Sequence, residues 1–536
     1  MNAATPHTAA TPFRILVADG ISASGLEPLT RDERFQVVRV STPDQLLSEL
    51  PTAHGLLVRS KTRVDAELLQ HALVLEVIGR AGVGVDNIDL EAATARGIPV
   101  LNAPAGNTIS AAELTMALML GLARGVPAAD QALRSGTWSK TQGVELRGKT
   151  LGLVGAGRIG GEVARRCLAF GMRVLAYDPY LSAQRAEELN LEAADLDTVL
   201  GEADVISLHV PLTESTRGLI DAARLKALKP GVLLINVARG GVVDEDALAE
   251  ALHAGTIAGA ALDVYEHEPL QEGSPLRGAP NLVLTPHLGA STAEAQELVA
   301  LEIADAVRLA LLEGDLTRAV NAPAVGGETL RRLRPLLELG QRLGRVACAL
   351  ADGAMRRVEV RYAGASTEAL RPLSQAVLAG VLQNVLGRDQ VNFVNAGHLA
   401  SGRGIDVSRS RTAARSDYAE FLEVVLETAS EELRIGGTVL GEGHSRIVRI
   451  GPYRVDVRPT GTLLILKNQD VPGVIGKVGT LLGTLGVNIA EYHQARLAQG
   501  GDALAAVSVD GSVGRDTLQR LLEMPEITEA RMVVLD

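Results

Sequence analysis

The sequence predicts an α/β protein with two doubly wound domains, followed by an α+β domain and a ferredoxin-like βαββαβ domain. Three observations support this fold class. Short β-branched runs alternate with helical stretches through residues 13–284, as is typical of parallel sheets. A glycine-rich turn joins an apolar strand to a helix at residues 151–160. Residues 462–536 follow the order strand, helix, strand, strand, helix and strand.

Length and composition limit the class of protein. A chain of 536 residues is too long for one hydrophobic core and implies about three or four domains. Its 46% hydrophobic and 22% charged residues are ordinary for a soluble globular protein. The formal net charge is −12, and no lysine- or arginine-rich run stands out. This balance argues against a nucleic-acid partner or an anionic membrane surface.

The cysteines and the N-terminus indicate the compartment. Cys167 and Cys348 both lie in apolar helical patterns, which predicts buried free thiols in a reducing compartment. Residues 1–12 lack the basic start and apolar core of a signal peptide, so we expect a frayed tail. No apolar run is long enough to span a bilayer. We therefore expect a cytoplasmic protein with no membrane partner.

The first unit of the chain is predicted from its short apolar runs. They predict strands at residues 14–17, 35–38, 55–58, 75–78 and 98–101, and a long helix follows at 110–123. A second α/β series begins at the glycine-rich turn. Since two α/β domains in sequence leave a cleft between them, we expect ligands to bind there.

The glycine-rich turn predicts a binding site for a dinucleotide phosphate. Gly155 permits the tight turn, Gly157 lets the backbone approach a pyrophosphate, and Gly160 lets the helix pack closely on the strand. The next strand, 172–177, is followed by Asp178. A carboxylate there accepts hydrogen bonds from the ribose hydroxyls and repels a 2′-phosphate, which favours NAD over NADP. The alternative is a tight strand-to-helix turn without a ligand.

Three polar residues follow apolar segments of the second α/β series, whose strands are predicted to include 205–208, 232–235 and 282–284. The guanidinium of Arg239 could hold a substrate carboxylate in a bidentate pair, although a surface arginine is the alternative. His287 could accept a hydroxyl proton, although a lone histidine after a strand is more often structural. Glu268 could pair with that histidine and raise its pKa.

Three motifs carry a family resemblance. NVARGG at 236–241, LDVYEHEP at 262–269 and TPHLGAST at 285–292 follow the glycine-rich turn in this order. Over about residues 13–321 the chain resembles the D-isomer-specific 2-hydroxyacid dehydrogenase family. The resemblance implies that Arg239 binds the substrate carboxylate and carbonyl, that His287 is the acid/base, and that Glu268 is its partner. The expected NAD contacts are Gly155, Gly157, Arg158, Ile159, Gly160, Asp178, Thr213, Ala238, Asp263 and Gly289.

The resemblance also implies the domain limits. The family builds its substrate-binding domain from both sides of its cofactor domain. We therefore expect a Rossmann-like substrate-binding domain from residues 1–104 and 290–321, and a Rossmann NAD-binding domain at 105–289. An intervening domain at 322–459 resembles the extra allosteric domain of longer bacterial members, with His444, Arg446, Arg454 and Arg458 as candidate phosphate ligands.

Two loops resemble those of family members that act on D-3-phosphoglycerate. They are RSKT at 59–62 and RAGVGVDN at 80–87. A cationic side chain with backbone amides could neutralise a phosphorylated acid. The expected substrate contacts are Arg59, Ser60, Gly82, Val83, Gly84, Asn107 and Lys140, the lysine reaching in from a neighbouring subunit.

The last segment, 460–536, resembles the ACT amino-acid-binding module through LKNQDVPGVIG at 466–476 and GVNI at 486–489. The resemblance implies that Asn468, Asp470 and Asn488 contact L-serine between subunits, so we expect a homo-oligomer, plausibly a tetramer. The alternative is a dimerisation module whose asparagines only cap turns.

Together these resemblances imply an NAD-dependent oxidation of D-3-phosphoglycerate to 3-phosphohydroxypyruvate, the first step of serine biosynthesis, with feedback by L-serine and no metal. One alternative is a glyoxylate or hydroxypyruvate reductase of the same family, for which a terminal amino-acid-binding module has no obvious use. Another is a non-catalytic NAD-sensing corepressor. The trio of Arg239, Glu268 and His287 argues against the corepressor.

Overall fold

The first domain is built on a parallel sheet, seen in a computed structural model that describes residues 11–140, 142–412, 417–441, 443–511 and 513–535. The sheet has five strands in the order β2-β1-β3-β4-β5. These strands are β1 (Phe13–Val17), β2 (Phe35–Arg39), β3 (Gly55–Val58), β4 (Val77–Arg80) and β5 (Val100–Asn102), and the helices are α1 (Glu27–Thr30), α2 (Pro43–Glu49), α3 (Ala66–Gln70) and α4 (Leu90–Ala95). Most of the predicted N-terminal tail lies outside the described residues.

The second domain is a doubly wound, seven-stranded parallel sheet with the order β12-β11-β10-β9-β6-β7-β8. Its strands are β6 (Thr150–Val154), β7 (Arg173–Tyr177), β8 (Glu192–Ala193), β9 (Val205–Leu208), β10 (Leu233–Asn236), β11 (Gly259–Leu262) and β12 (Leu282–Leu284). Its helices are α5 (Thr108–Arg124), α6 (Val126–Arg134), α7 (Arg158–Ala169), α8 (Ala183–Glu188), α9 (Leu196–Glu202), α10 (Ala222–Ala227) and α11 (Glu245–His253). The central strands β9, β10 and β11 are fully buried, as expected for a sheet covered on both faces.

Helix α12 (Ala293–Glu313) returns the chain to the first sheet. It packs against β4, where a Cβ at Gly79 would lie 2.8 Å from Val307 and 2.9 Å from Ile303. The absence of a side chain at Gly79 is therefore what lets α12 lie close to the strand. This packing supports the predicted substrate-binding domain made of two separate segments, and we retain its limits as a proposal.

The third domain has a six-stranded mixed sheet with the order β14-β13-β15-β16-β17-β18. Its strands are β13 (Met355–Ala363), β14 (Asp406–Arg411), β15 (Phe421–Thr428), β16 (Glu432–Leu440), β17 (His444–Ile450) and β18 (Tyr453–Val457), and its helices are α13 (Gly327–Leu350), α14 (Leu370–Leu386) and α15 (Ala396–Ser401). Helices α13 and α14 pack tightly because a Cβ at Gly344 would lie 2.2 Å from the Val377 carbonyl, and one at Gly380 would lie 1.9 Å from the Gln341 carbonyl.

The fourth domain confirms the predicted ferredoxin-like arrangement. Its elements follow the order β19 (Thr462–Gln469), α16 (Val474–Thr484), β20 (Ile489–Arg496), β21 (Asp502–Val509), α17 (Arg515–Leu522) and β22 (Ile527–Val534). The antiparallel sheet has the order β20-β21-β19-β22. Both β20 and β22 are therefore edge strands within this chain.

Several boundaries differ from the sequence-based expectations. The strand expected at 98–101 begins at Val100 because Pro99 has no N–H to donate to the sheet. The strand expected at 75–78 begins at Val77. Strand β11, with its sequence GAAL, was not predicted, since glycine and alanine have low strand propensity. Pairing with β10 on one side and β12 on the other places this segment in the sheet.

Among the described residues no single helix is long and apolar enough to cross a membrane. Only α5 and α6 taken together, which are bent by 64° at Gly125, meet that test by length and composition.

Candidate active site

The glycine-rich turn leaves no room for side chains at two of its three glycines. Gly155 has a φ of +96°, and a Cβ there would lie 2.6 Å from the carbonyl oxygen of His209. A Cβ at Gly160 would lie 2.1 Å from the carbonyl oxygen of Gly155. A Cβ at Gly157 would meet no atom within 4 Å, so this side of the turn is open. The turn is thus packed on its inner side and accessible on its outer side.

The N-terminus of α7 opens directly from this turn. Its N-cap residue is Gly157, and no side chain caps the helix. The first amides of a helix lack intrahelical acceptors, so an uncapped N-terminus favours an anion. Arg158 and Ile159 belong to this first turn, and their contact with NAD stays a prediction. The residues present therefore fit a dinucleotide pyrophosphate.

Asp178 follows β7 and is half-buried beside the turn. Its Oδ2 accepts from the Ala156 N–H at 2.9 Å, and its Oδ1 accepts from the Tyr180 N–H at 2.8 Å. Each carboxylate oxygen has a second lone pair, so ribose hydroxyls can still donate to it. The carboxylate is held at the position that the sequence predicts for the ribose contact.

His209 is a residue that the sequence reasoning did not single out. It follows β9, and its backbone carbonyl packs against Gly155. Burial lowers the pKa of its imidazole to about 4, and its Nε2 lies 2.8 Å from Oγ of Ser207. The imidazole is therefore neutral near pH 7, and the residue packs against the glycine-rich turn. The signal in the sequence was its place at the carboxyl end of a buried strand.

His287 and Glu268 form a hydrogen-bonded pair with 2.7 Å between Nδ1 and Oε2. The bond to Glu268 raises the pKa of His287 although partial burial opposes this. Burial would raise the pKa of Glu268, but the hydrogen bond and charge of His287 outweigh it and lower that pKa. The side chain of His287 remains about half exposed. A base oriented by a carboxylate and open to solvent on its other side is suited to proton transfer.

Asp263 lies beneath the loop that carries His287. It is fully buried, and its Oδ1 accepts from Oγ1 of Thr285 at 2.7 Å and from the Leu288 N–H at 2.7 Å. Its Oδ2 accepts from the Gly289 N–H at 2.9 Å. Burial raises the pKa of this carboxyl, with these bonds opposing the shift. Asp263 thus fixes the histidine loop, and its predicted contact with the nicotinamide stays a prediction.

Arg239 meets the first domain at the substrate loop, defined here as residues 82–88. Its Nε lies 3.4 Å from Oδ2 of Asp86. A Cβ at Gly84 would lie 2.3 Å from Nη2 of Arg239, so a side chain there would require the guanidinium to move. The loop and the arginine come from different domains, and the cleft between the domains therefore contains both. Ala238, a predicted cofactor contact, is buried next to Arg239.

Arg80 completes a cationic cluster and was not among the predicted site residues. It is the last residue of β4, and burial together with the charges of Arg239 and Arg59 lowers its pKa to about 10. A Cβ at Gly82 would lie 1.3 Å from its Nη1. Within the described part of the chain its buried Nε has no hydrogen-bond partner, which costs about 1–3 kcal/mol and favours an anionic ligand. The sequence signal was an arginine at a strand's carboxyl end.

The other predicted substrate residues have the following surroundings. The backbone N–H of Arg59 donates to Oδ2 of Asp19 at 2.7 Å, and Ser60 beside it is exposed. Asn107 directly precedes α5, and in the described structure its buried Oδ1 has no hydrogen-bond partner. Val83 of the substrate loop is half-buried.

Two predicted contacts lie on exposed segments. Thr213 is exposed on the loop after β9, where its N–H donates to Oγ1 of Thr216 at 2.8 Å. Lys140 is exposed beyond α6, next to Trp138, whose side chain is 84% exposed. A lysine reaching a neighbouring subunit stays a prediction.

The three predicted serine contacts do not lie together in one chain. In the fourth domain Asn468 pairs with Ala503 at one end of β19, and Asp470 follows there. Asn488 precedes β20, whose first residue pairs with Val509 at the opposite end of the sheet. With a rise of about 3.3 Å per residue, the two groups are roughly 20 Å apart.

Each of these three side chains also has a hydrogen-bond partner nearby. Asn468 is buried, and its Oδ1 accepts from Gln494 at 3.2 Å. Asp470 accepts from Arg496 at 3.1 Å, and Asn488 donates to Asp510 at 2.7 Å. Each group is thus held in place within its own end of the sheet.

The candidate phosphate ligands of the third domain lie on its last two strands and on the residue that follows them. Arg446 is 3.1 Å from Asp456, and Arg458 is 3.4 Å from Glu491. Both arginines are thus paired with acidic side chains, and a ligand there stays a prediction.

The sequence of this chain is similar to those of known proteins. Residues 116–289 match the family described as D-isomer specific 2-hydroxyacid dehydrogenase, NAD binding domain, and residues 332–451 match the D-3-phosphoglycerate dehydrogenase intervening domain. The D-3-phosphoglycerate dehydrogenase of Archaeoglobus fulgidus is 41% identical over 98% of this chain and 100% of its own. The chain belongs to the D-3-phosphoglycerate dehydrogenase family. The family member from Mycobacterium tuberculosis is 42% identical over 94% of this chain and 95% of its own.

Solved structures of other dehydrogenases are also similar to this chain. The D-lactate dehydrogenase of Aquifex aeolicus, complexed with NAD and lactic acid, matches 58% of this chain and 100% of its own with a TM-score of 0.51 and 32% identity. The match to an NAD-binding family confirms the predicted cofactor, and the full-length relatives confirm the predicted dehydrogenase family. The lactate dehydrogenase covers 58% of this chain and the Archaeoglobus relative covers 98% of it, so the similarity to the full-length relatives extends through the third and fourth domains.

Proposed function

We propose that this chain oxidises D-3-phosphoglycerate to 3-phosphohydroxypyruvate with NAD, in the first step of serine biosynthesis. The observation that carries the proposal is the cluster of Arg59, Arg80 and Arg239 in the cleft that contains the histidine–glutamate pair. The charge of Arg239 acts on both His287 and Glu268, so the cluster and the pair belong to one site.

The charge of the cluster fits a substrate with two anionic groups. The acidic groups acting on Arg80 in the same region are Asp19 and Asp86. Asp19 already accepts from the backbone N–H groups of Arg59 and Thr62, which leaves less of its charge for the guanidinium groups. A carboxylate and a phosphate together compensate the remaining positive charge better than a carboxylate alone. This distinguishes phosphoglycerate from lactate or glyoxylate.

The site residues divide the chemistry among them. Neutral His287 takes the C2 hydroxyl proton on Nε2, because its Nδ1 is engaged with Glu268. Glu268 stabilises the resulting imidazolium, and Arg239 holds the carboxylate and the C2 oxygen while the C2–O bond becomes a carbonyl. Bound NAD supplies the acceptor for the C2 hydride. The glycine turn and Asp178 would hold that cofactor.

A substrate panel tests the proposal. We expect kcat/KM for D-3-phosphoglycerate with NAD to exceed that for D-glycerate and D-lactate by at least about a hundredfold, because the arginines would be left unpaired by the smaller acids. Comparable rates for the unphosphorylated acids would contradict the substrate assignment. Preferred reduction of glyoxylate or hydroxypyruvate would favour a reductase, and NAD binding without any turnover would favour a corepressor.

The pairing of Glu268 with the histidine predicts a change in pH dependence. In the oxidation direction His287 must be neutral, so kcat/KM rises as the pH passes through its raised pKa. Glu268→Gln removes the charge that raises this pKa, and the acid limb should move to lower pH. The neighbouring exposed Glu266→Gln is the control and should leave the profile in place. An unmoved limb in Glu268→Gln would assign that glutamate to structure.

Asp178 predicts the choice of cofactor. Asp178→Ala should raise the Kd for NAD by about tenfold and reduce the preference for NAD over NADP, because the ribose loses an acceptor and the 2′-phosphate loses its repulsion. The ratio of the two affinities separates this from general destabilisation. If both affinities fall equally, the ribose contact lies elsewhere.

We further propose a homo-oligomer, a dimer or a tetramer, in which L-serine binds between fourth domains. Asp470 and Asn488 lie at opposite ends of one sheet, so an antiparallel two-fold pairing along an edge strand would bring one copy's Asp470 beside the other's Asn488. A cytoplasmic location is proposed as well. It is supported by the free thiols of Cys167 and Cys348, which are typical of a reducing compartment.

Calorimetry with L-serine tests the regulatory proposal. Asp470→Ala should weaken L-serine binding and inhibition by about tenfold while turnover without serine stays at the wild-type level. Asp516→Ala, an exposed acid of the same domain, is the matched control. No heat and no inhibition with wild-type protein would leave the fourth domain as an assembly module only.

A further inference from the structure

A loop of the third domain contacts the first domain at the C-terminal end of α4. We name residues 390–395 the clamp loop. The side chain of Asn392 donates from Nδ2 to the carbonyl of Gly97 at 2.8 Å, and Nδ2 of Asn395 lies 3.4 Å from the carbonyl of Ala95. The last carbonyls of a helix lack intrahelical donors, so these amides act as a C-terminal cap supplied by another domain.

Gly97 is shaped for this contact. Its φ is +72°, and a Cβ there would lie 2.3 Å from Nδ2 of Asn392. A side chain at this turn would therefore displace the clamp loop.

The clamp loop is held by its own asparagines. Oδ1 of Asn392 accepts from the N–H groups of Val394 and Asn395 at 2.9 and 3.2 Å. Oδ1 of Asn395, which is 2% exposed, accepts from the Asn392 N–H at 2.8 Å, and its Nδ2 donates to the Gln390 carbonyl at 2.9 Å. A buried, bonded polar network favours one arrangement over others, so the loop presents its cap in a fixed position.

A chain of buried hydrogen bonds links the clamp loop to the fourth domain. Gln383 is 4% exposed, and its Nε2 donates to the Val391 carbonyl at 2.8 Å. Its Oε1 accepts from Nη2 of Arg345 at 2.8 Å. Nη1 of Arg345 in turn donates to the carbonyl of Leu535, just after β22, at 2.9 Å. The end of the fourth domain and the clamp loop are therefore joined through two side chains.

The turn that the clamp holds is connected to the substrate loop on both sides. Toward the N-terminus, α4 begins after Asp89, directly behind residues 82–88, and that aspartate caps the helix by accepting from the Ala92 N–H at 2.9 Å. Toward the C-terminus, β5 ends at Asn102, whose Nδ2 donates to the Val83 carbonyl at 2.7 Å. A shift of the turn would thus reach both ends of the substrate loop.

We propose that Asn392 is a positioning residue for the substrate loop, and that Arg345 and Gln383 connect this clamp to the fourth domain. The proposal rests on the proposed function, because it assigns the substrate loop to binding phosphoglycerate. Asn392 touches no reacting atom and acts through α4 and β5. Its removal affects the affinity for the acid and leaves the NAD-binding turn unchanged.

Asn392→Asp tests the clamp. The aspartate keeps the acceptor for Val394 and Asn395 but replaces the donor to Gly97 with a carboxylate oxygen. We expect the KM for D-3-phosphoglycerate to rise about two- to tenfold, because the net free energy of one hydrogen bond corresponds to a factor of this size. The KM for NAD should not change. Gln390→Ala, an exposed residue of the same loop, should change neither constant. A lower Tm with both KM values unchanged would overturn the proposal and leave the contact purely structural.

Hydrogen exchange gives a readout that does not depend on turnover. In the full-length Asn392→Asp protein, amides of residues 82–96 should exchange faster than in wild type, while those of α7 should not. Unchanged exchange at 82–96 would contradict the clamp. If wild-type protein fails to oxidise phosphoglycerate, the proposed function fails, and this exchange measurement still decides the clamp.

A double-mutant cycle tests the connection to the fourth domain. Gln383→Met has a similar shape but no hydrogen bonds, and it should also raise the KM for phosphoglycerate. Asn392 and Gln383 both act on the substrate loop. The increase in KM of the double variant should therefore be smaller than the product of the two single increases. Multiplicative effects would contradict the connection. If Gln383→Met does not fold, Gln341→Ala, which removes a neighbouring bond to Gln383 of 2.8 Å, replaces it in the cycle.

Discussion

His287→Ala is expected to lower kcat for D-3-phosphoglycerate oxidation by about a hundred- to ten-thousandfold, because proton transfer by a positioned base contributes about that factor. The Kd for NAD should stay at its wild-type value, since the glycine turn and Asp178 do not contact this loop through the hydrogen bonds described. Steady-state kinetics and calorimetry with NAD measure the two effects.

The adjacent exposed histidine provides the control. His267→Ala should keep wild-type turnover, because it removes an exposed imidazole that directly precedes Glu268 in the sequence but is not part of the His287–Glu268 pair. Turnover of His287→Ala near the wild-type rate would remove this residue from catalysis. Equal losses in the two variants would point to a general disturbance of the segment.

Arg239→Lys is expected to lower kcat/KM for D-3-phosphoglycerate by about a hundred- to a thousandfold. An ammonium group keeps the charge but cannot make the two parallel hydrogen bonds of a guanidinium to a carboxylate. Two hydrogen bonds to charged groups account for a loss of this size. The substitution also removes the contact with the substrate loop near Asp86.

The effects on kcat and KM distinguish the loss of the bidentate contact of Arg239 from the loss of positive charge. The loss should appear in kcat as well as in KM, because Arg239 is expected to hold the C2 oxygen whose bonding changes in the reaction. Arg63→Lys, an arginine of the first domain whose side chain is 83% exposed, should leave both constants unchanged. A lysine variant with near wild-type kcat/KM would mean that charge alone suffices, and the bidentate assignment would be wrong.

The phosphate-binding turn could be predicted from the sequence because its requirements are local. Gly155 and Gly160 lie against backbone atoms within a few residues or on the adjacent strand, so no other residue fits there. The family resemblance implied that His287 pairs with Glu268, and the structure places the two side chains in contact. In both cases the informative residues lie at the carboxyl ends of strands in one sheet.

Features that depend on long-range packing were missed. Arg80 begins a loop that resembles a substrate-binding loop, but its approach to Arg239 of another domain depends on packing that its sequence neighbours do not indicate. The separation of Asp470 from Asn488 depends on the register of the strands. Alternation of hydrophobic residues does not show which loops meet at the same edge of a sheet. Likewise, contact between Asn392 and Gly97 joins residues far apart in the chain.

We propose that the site in the cleft oxidises phosphoglycerate directly at C2. Its most direct test is a single turnover of the wild-type protein with D-3-phosphoglycerate deuterated at C2 and unlabelled NAD, followed by mass spectrometry of the reduced cofactor. We expect one deuterium in the reduced cofactor and none when D-glycerate deuterated at C2 replaces the substrate under the same conditions. Unlabelled reduced cofactor, or label transferred equally well from D-glycerate, would contradict it.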